Sequence, residues 1–323
     1  MSAIMNLLQD TRHSIPCYFY PQARKMGITV KELLTDHEQH RQALLRIADQ
    51  YPVGAVVRMT ELWCEAAAFG MQCTLLDDDF PRLKEPIVTD AEELSEVAVP
   101  SVDNAILTPL IEAVRLAAPD MKIPLIVGIT GPYTLASVLN GSSDFMMNCM
   151  LDPDAAHDFL KTLTVFLTGY ALEYKKAGAN AIMLAEPSIS MISPDMTAEF
   201  SNPYITAIVD AVQDENFSLI YHNCGAINKH MDTIMMLNSD AFHFGSEVDL
   251  SLAFEKSKPN TLIMGNLDPN LFLEANTDRL CASARALCAQ YEKNENWRLS
   301  TGCDLSPKAT DANLQAFFEG CGA

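Results

Sequence analysis

The chain has 323 residues, and 49% of them are apolar, so it can bury a large core and is not a disordered segment. A formal net charge of -20 argues against nucleic acid or an anionic membrane as partner, because both are held by basic patches. Nine cysteines, odd in number and without framework spacing, read as reduced thiols of a cytoplasmic protein.

The start, MSAIMNLLQDTRHS, lacks the basic and apolar regions of a signal peptide, and no stretch is apolar for long enough to span a bilayer. The first run with strand character is IPCYFY (15–20), followed by GAVVRMT (54–60). Residues 61–122 are too long for one connecting helix and include LLDDDFPRLKEPIVTDAEELSEV, which reads as extra helices and an acidic loop. Asp77–Asp79 in that loop read as a solvated turn, with a metal site as the alternative. Six further runs follow: IPLIVGI (123–129), NAIMLAE (180–186), FSLIYHN (217–223), DAFHFGS (240–246), TLIMGNL (261–267) and WRLSTGC (297–303). They are nearly continuously apolar, as parallel strands covered on both faces should be.

Helix signals lie between these runs. Asp152-Pro153, Ser193-Pro194 and Asp268-Pro269 each set a capping side chain before a proline at the first helical position. Lys175 and Lys176 followed by Gly178 mark a helix end. The alternation predicts an α/β fold: a single (β/α)₈ TIM barrel domain over residues 1–323, with extra N-terminal helices and an insertion between the second and third strands. An open doubly wound sheet is the alternative, but no glycine-rich phosphate loop follows any run.

In such a barrel, chemistry sits at the carboxyl ends of the strands. There the chain carries Glu186, then His222 and Cys224, then Glu247, then Asn266 and Asp268, and finally Cys303. His222 and Cys224 are two apart on one strand, so their side chains share a face. One imidazole and two thiolates with a fourth position open is the ligand pattern of a catalytic zinc. Two thiolates neutralise the ion, which suits activation of a substrate thiol for alkyl transfer better than hydrolysis. The residues alone leave the alternative open, since free cysteines are commonly inert core residues.

Several segments carry a resemblance in chain order: GAVVRMTELWCEAAAFG (54–70), VGITGPYTLASVLNG (127–141), GANAIMLAEPSISMISP (178–194), IYHNCGAI (220–227), MGNLDPNLFL (264–273) and STGCDLSPKATDANLQAF (300–317). With these the chain resembles the uroporphyrinogen decarboxylase superfamily, and within it the methylcobalamin:coenzyme M methyltransferase branch. The resemblance implies zinc on His222, Cys224 and Cys303, which activates a thiol such as coenzyme M to take a methyl group from a methylated corrinoid. Methylcobalamin would be the donor form, and a separate corrinoid protein would present it, because no corrinoid-binding module is recognisable in this chain.

The decarboxylases themselves carry a motif resembling Arg-Gln-Ala-Gly-Arg for substrate carboxylates. Here the stretch reads Tyr20-Pro21-Gln22-Ala23-Arg24, so Pro21 stands for the first arginine and the glycine is absent. Their aspartate after the second strand has only Glu61 as nearest acid. A carboxylated tetrapyrrole decarboxylase is therefore the alternative, together with a zinc- or corrinoid-binding member that does not catalyse.

Glu186 is expected either as a fourth, displaceable ligand or base for the thiol proton, or as a hydrogen-bonding residue of the rim. Thr130-Gly131-Pro132-Tyr133 is expected to shape the floor where the cofactor binds, with a tight strand-to-helix turn as the plainer explanation. His243 reads as a satisfied core histidine and Asp268 as a helix cap. Arg58 and Arg298 are candidates for an anion cradle, or face the helices.

Overall fold

The computed structural model describes residues 3–322 apart from 12, 60–61, 89–90 and 95. Seven parallel strands form one curled sheet in the order β1-β4-β5-β6-β7-β8-β9, in the manner of a TIM-like barrel. They are β1 (Val56–Arg58), β4 (Leu125–Thr130), β5 (Ala181–Ala185), β6 (Ser218–Asn223), β7 (Ala241–Phe244), β8 (Leu262–Met264) and β9 (Trp297–Arg298). A separate antiparallel pair, β2 (Cys73–Thr74) and β3 (Arg82–Leu83), lies in the connection after β1. That connection also holds the helices Trp63–Ala68, Ala91–Leu94 and Thr108–Ala117.

Side chains alternate across each strand, and this splits the core in two. The inner set is small aliphatic and methionine: Ile15, Cys17, Val57, Ile126, Ala181, Met183, Ala185, Ile220, Ala241, Leu262 and Met264 belong to one buried cluster. The residues between them, such as Val56, Val127, Ile182, Leu184, Tyr221 and Phe242, pack outward into the larger helix-facing core. The 25-residue helix Pro153–Ala177 covers part of that outer face. Asp152 accepts from the Ala155 N–H at its start, and Gly178 ends it with a φ of 99°.

The expected strand over 15–20 differs. Pro16 has no N–H to give to a ladder, so the segment is extended without being a regular strand. It nonetheless lies between the two sheet edges. Ile15 N–H donates to Leu299 O beyond β9, and Gly54 N–H, just before β1, donates to Ser14 O, each at 2.9 Å. Helical geometry begins at Pro21. The run 297–303 also stops early: β9 covers two residues, and one parallel bridge follows between Leu267 and Thr301. Cys303 therefore stands in the loop beyond β9 rather than on a strand.

Thr60 and Glu61 lie outside the described residues. Asp79 is engaged in a local turn, accepting from the Phe80 N–H at 2.9 Å and facing Arg82 and Lys308, each at 3.5 Å. Among the described residues, no helix is long and apolar enough to cross a membrane.

Candidate metal centre

Strand β6 sets the first two ligands. Its interior positions alternate from Ile220 to His222, and the next one, Cys224, is just past the strand end. The loop after β9 brings the third. Ligand atoms of His222, Cys224 and Cys303 all lie within 4.8 Å of one another, the one such group of metal-ligating side chains found among the described residues. Cys303 Sγ is 4.0 Å from His222 Nε2.

Two glycines let the backbones come this close. A Cβ on Gly245 would stand 2.5 Å from Cys224 Cα, and one on Gly302 would stand 2.7 Å from the Ser246 nitrogen. A side chain at Gly245 would press against the Cys224 backbone, and one at Gly302 would push the loop of Cys303 away from the segment that follows β7. The Cys303 loop is further pinned to the extended segment at 15–20. Cys17 N–H donates to Thr301 Oγ1, and Leu305 N–H donates to Cys17 O, both at 3.0 Å.

The thiols share their protons unequally. A hydrogen bond from Cys303 holds the Cys224 thiol well below the ordinary range against the opposing effect of burial. Donating that hydrogen bond, together with burial, pushes Cys303 up. The pair thus favours one thiolate, which is the form a metal needs.

The donor set fits zinc. Around a tetrahedral zinc with bonds of about 2.1 Å to nitrogen and about 2.3 Å to sulfur, ligand atoms stand roughly 3.5–3.8 Å apart. The observed spread needs adjustments of about an ångström or less to reach that. Three protein ligands leave the fourth position for a small molecule.

His222 and His243 are register partners on β6 and β7, with ring centroids 4.7 Å apart. Their Nδ1 atoms are 2.7 Å apart, and His222 Nδ1 also faces the His243 carbonyl at 3.2 Å. His243 Nε2 lies 2.7 Å from Ser300 Oγ, which donates to Ile15 O at 2.6 Å. Burial, then the neighbouring His222, holds the His243 pKa well below the usual imidazole value. It is a core histidine, but both of its ring nitrogens are committed to partners at the centre.

The other expected site residues stand elsewhere. Glu186 is not a member of the three-ligand group. On β5, Ala181, Met183 and Ala185 face inward, so Glu186 turns to the opposite side. Its Oε1 accepts from the Tyr133 N–H at 2.9 Å and the Ser201 hydroxyl at 3.0 Å, and its Oε2 from the Thr134 N–H at 2.9 Å. It caps the helix Pro132–Asn140 from outside that helix, where a carboxylate also meets the positive end of the helix dipole. Thr130-Gly131-Pro132-Tyr133 forms the turn from β4 into that helix, and Tyr133 packs on Phe145 with centroids 5.2 Å apart.

Neither arginine forms a cradle at the strand ends. Arg58 shares its face with Val56 and reaches Tyr174 of the long helix at 3.4 Å. Arg298 donates to the carbonyl oxygens of Glu295 and Trp297. The contributions of His243, Ser300, Gly245 and Gly302 are not apparent in the residue pattern. Only the inward alternation of Ala241 and His243 hints at one of them.

The fold and site together define a class: a parallel α/β barrel-like protein in which one histidine and two cysteines, able to hold a metal ion, meet at the carboxyl ends of the strands. The sequence matches the uroporphyrinogen decarboxylase (URO-D) family over residues 13–322, and the chain belongs to that family. A uroporphyrinogen decarboxylase of Coxiella burnetii is 25% identical over 290 residues, covering 86% of this chain and 79% of its own. The methylcobamide:CoM methyltransferase MtbA of Methanosarcina mazei is 26% identical over 268 residues, covering 80% and 76%. A solved methyltransferase structure from Methanosarcina mazei superposes with a TM-score of 0.85 at 19% identity, over 98% of this chain and 96% of that one. Relatives therefore include both decarboxylases and methyltransferases.

Proposed function

We propose that this protein is a zinc-dependent methyltransferase that moves a methyl group from a methylated corrinoid, such as methylcobalamin, to a small thiol such as coenzyme M. The observation that carries the reading is the meeting of one imidazole and two thiols, from β6 and from the loop after β9, at one point. A porphyrinogen decarboxylation would leave that convergence without a use. His222, Cys224 and Cys303 would hold the ion. When bound, zinc would supply a substrate thiol in its thiolate form at neutral pH while preserving its nucleophilicity.

The chain's own residues do the rest. Cys224 and Cys303 give the ion two negative ligands, and the crowded backbones at Gly245 and Gly302 fix their spacing. Thr130 turns its buried hydroxyl toward the interior face that Ile126 also occupies. Glu186 acts from below by holding the start of the helix behind the Thr130–Tyr133 turn. We take the extended segment at 15–20 as the eighth stave of a single (β/α)₈ domain. A separate corrinoid protein would dock over the carboxyl ends of the strands, in a reducing, cytoplasmic setting that keeps the thiols free.

The test mixes methylcobalamin, zinc-loaded protein and a panel of thiols, coenzyme M included, without oxygen. Its readout is the visible spectrum. Conversion to cob(I)alamin should require both zinc and one thiol. Cys303→Ser should bind less than one zinc per chain and lose the conversion. Retention of full activity by that variant would overturn the reading.

A second reading rests on the match to the URO-D family and on the decarboxylases among the relatives. It is a metal-independent decarboxylase of a carboxylated tetrapyrrole. Zinc content of the purified protein, and activity after chelation, separate the two.

A further inference from the structure

We propose that His243 and Ser300 are positioning residues of the metal centre: they hold His222 in the tautomer that leaves Nε2 unprotonated and aimed at Cys224 and Cys303. The inference rests on reading that centre as a zinc site, and it adds two residues that touch neither metal nor substrate.

The logic runs outward from a backbone carbonyl, which can only accept. Ser300 Oγ and Ile15 O are 2.6 Å apart, a separation two oxygens keep only with a proton between them. The Thr301 carbonyl, 3.1 Å from the same Oγ, is again only an acceptor, so the hydroxyl proton of Ser300 is committed to backbone carbonyls, the nearer being Ile15. Ser300 Oγ can then only accept along its 2.7 Å contact with His243 Nε2, so His243 carries its proton on Nε2.

The same reasoning applies at the other end. His222 Nδ1 faces the His243 carbonyl at 3.2 Å, which again accepts only, so the proton of His222 sits on Nδ1. That N–H also meets His243 Nδ1 at 2.7 Å, and the contact is favourable only if His243 Nδ1 is bare. Both ends thus require the same arrangement: His222 Nδ1–H, then His243 Nδ1 as acceptor, His243 Nε2–H, Ser300 and Ile15. What remains on His222 is an unprotonated Nε2, 4.0 Å from Cys303 Sγ. A metal-binding histidine needs this, and its outer partner also fixes the ring plane and raises the basicity of the ligating nitrogen.

The location of the chain gives it a second use. Its last member, Ile15, also donates its N–H to Leu299 O beside the Cys303 loop. The two halves of the ligand set are therefore tied to one extended segment. A disturbance at Ser300 should loosen the imidazole and the Cys303 loop together.

The test reads the tautomer and the metal separately. Imidazole ¹⁵N spectra of the full chain labelled at histidine, recorded without metal, should show His222 with a pyrrole-like Nδ1 and a pyridine-like Nε2. His222→Gln identifies the signal. In Ser300→Ala and His243→Phe that signal should move toward a mixture of tautomers. Zinc affinity, measured by competition with a chromophoric chelator, should fall about 10- to 100-fold in both. His243→Asn, whose amide oxygen can still accept from His222 Nδ1–H, should recover most of the loss. The absorption bands of the cobalt(II)-loaded protein should shift in Ser300→Ala although every ligand is intact.

Circular dichroism checks that each variant is folded, and Ser300→Ala, which deletes one oxygen, is the variant least able to unfold the chain. Variants that bind zinc within about 2-fold of wild type with the His222 signal unchanged would overturn the proposal. If the wild-type protein bound no zinc, the zinc reading would fall and the role in metal positioning with it. The metal-free spectra would still report whether His243 and Ser300 set the tautomer.

Discussion

Glu186 is fully buried and meets donors at both oxygens, two of them backbone N–H groups at the start of a helix. Replacing it with glutamine turns an NH₂ group toward the backbone N–H of either Tyr133 or Thr134, which can only donate. Glu186→Gln should therefore lower stability by about 1–3 kcal/mol in urea or thermal unfolding. Methyl transfer by the folded variant should persist, whereas a thiol base would lose it. The pH dependence gives an independent check. Burial raises the Glu186 pKa above its ordinary 4.5, with the hydrogen bonds from Thr134, Tyr133 and Ser201 opposing. The folded state then keeps this proton to higher pH than the unfolded chain. Its contribution to stability is greatest below the unfolded value and declines as pH rises through the folded one. Glu186→Gln should remove that step from a plot of unfolding free energy against pH.

At the level of elements, the centre is assembled by backbone proximity as much as by its ligands. Gly245→Ala would put a methyl group 2.5 Å from Cys224 Cα, where backbone and not a flexible side chain must yield. A loss of about 1–3 kcal/mol is expected from overpacking. The variant should also hold fewer than one zinc per chain by metal analysis, with native circular dichroism. Wild-type zinc content and affinity would show that the close approach of these loops does not matter for the site.

The same elements mark what could be read from residues. The apolar runs overlap all seven strands of the sheet, β1 included, because burial on both faces leaves a continuous apolar signature. His222 and Cys224 follow from the two-residue repeat. That repeat also turns Glu186 away, since Ala185 takes the inward position. Pro16 could have demoted the run 15–20 from a ladder strand, though not revealed that it bonds to both sheet edges. The register that sets His243 against His222 and the turn that returns Cys303 to them depend on pairing between distant segments, which no local pattern encodes.

For the whole molecule, the competing chemistries make opposite demands on charge. A heavily carboxylated porphyrinogen needs several cations at the mouth. This chain has 22 lysines and arginines against 42 acids. Arg58 is committed to the helix side, where Tyr174 receives it, and Arg24 is exposed on the short helix that Pro21 begins. A small thiol needs far less positive charge than that, and a zinc held by two thiolates supplies its anchor locally. Uroporphyrinogen offered to the protein without oxygen should therefore yield no decarboxylated product by porphyrin fluorescence after oxidation. The thiol-dependent demethylation of methylcobalamin should stop on treatment with a strong zinc chelator and return when zinc is restored. Decarboxylation that survives the chelator would reverse the assignment: the His222, Cys224 and Cys303 cluster would then be a structural or vestigial group, and the acidic surface would have to be offset by cations at the mouth.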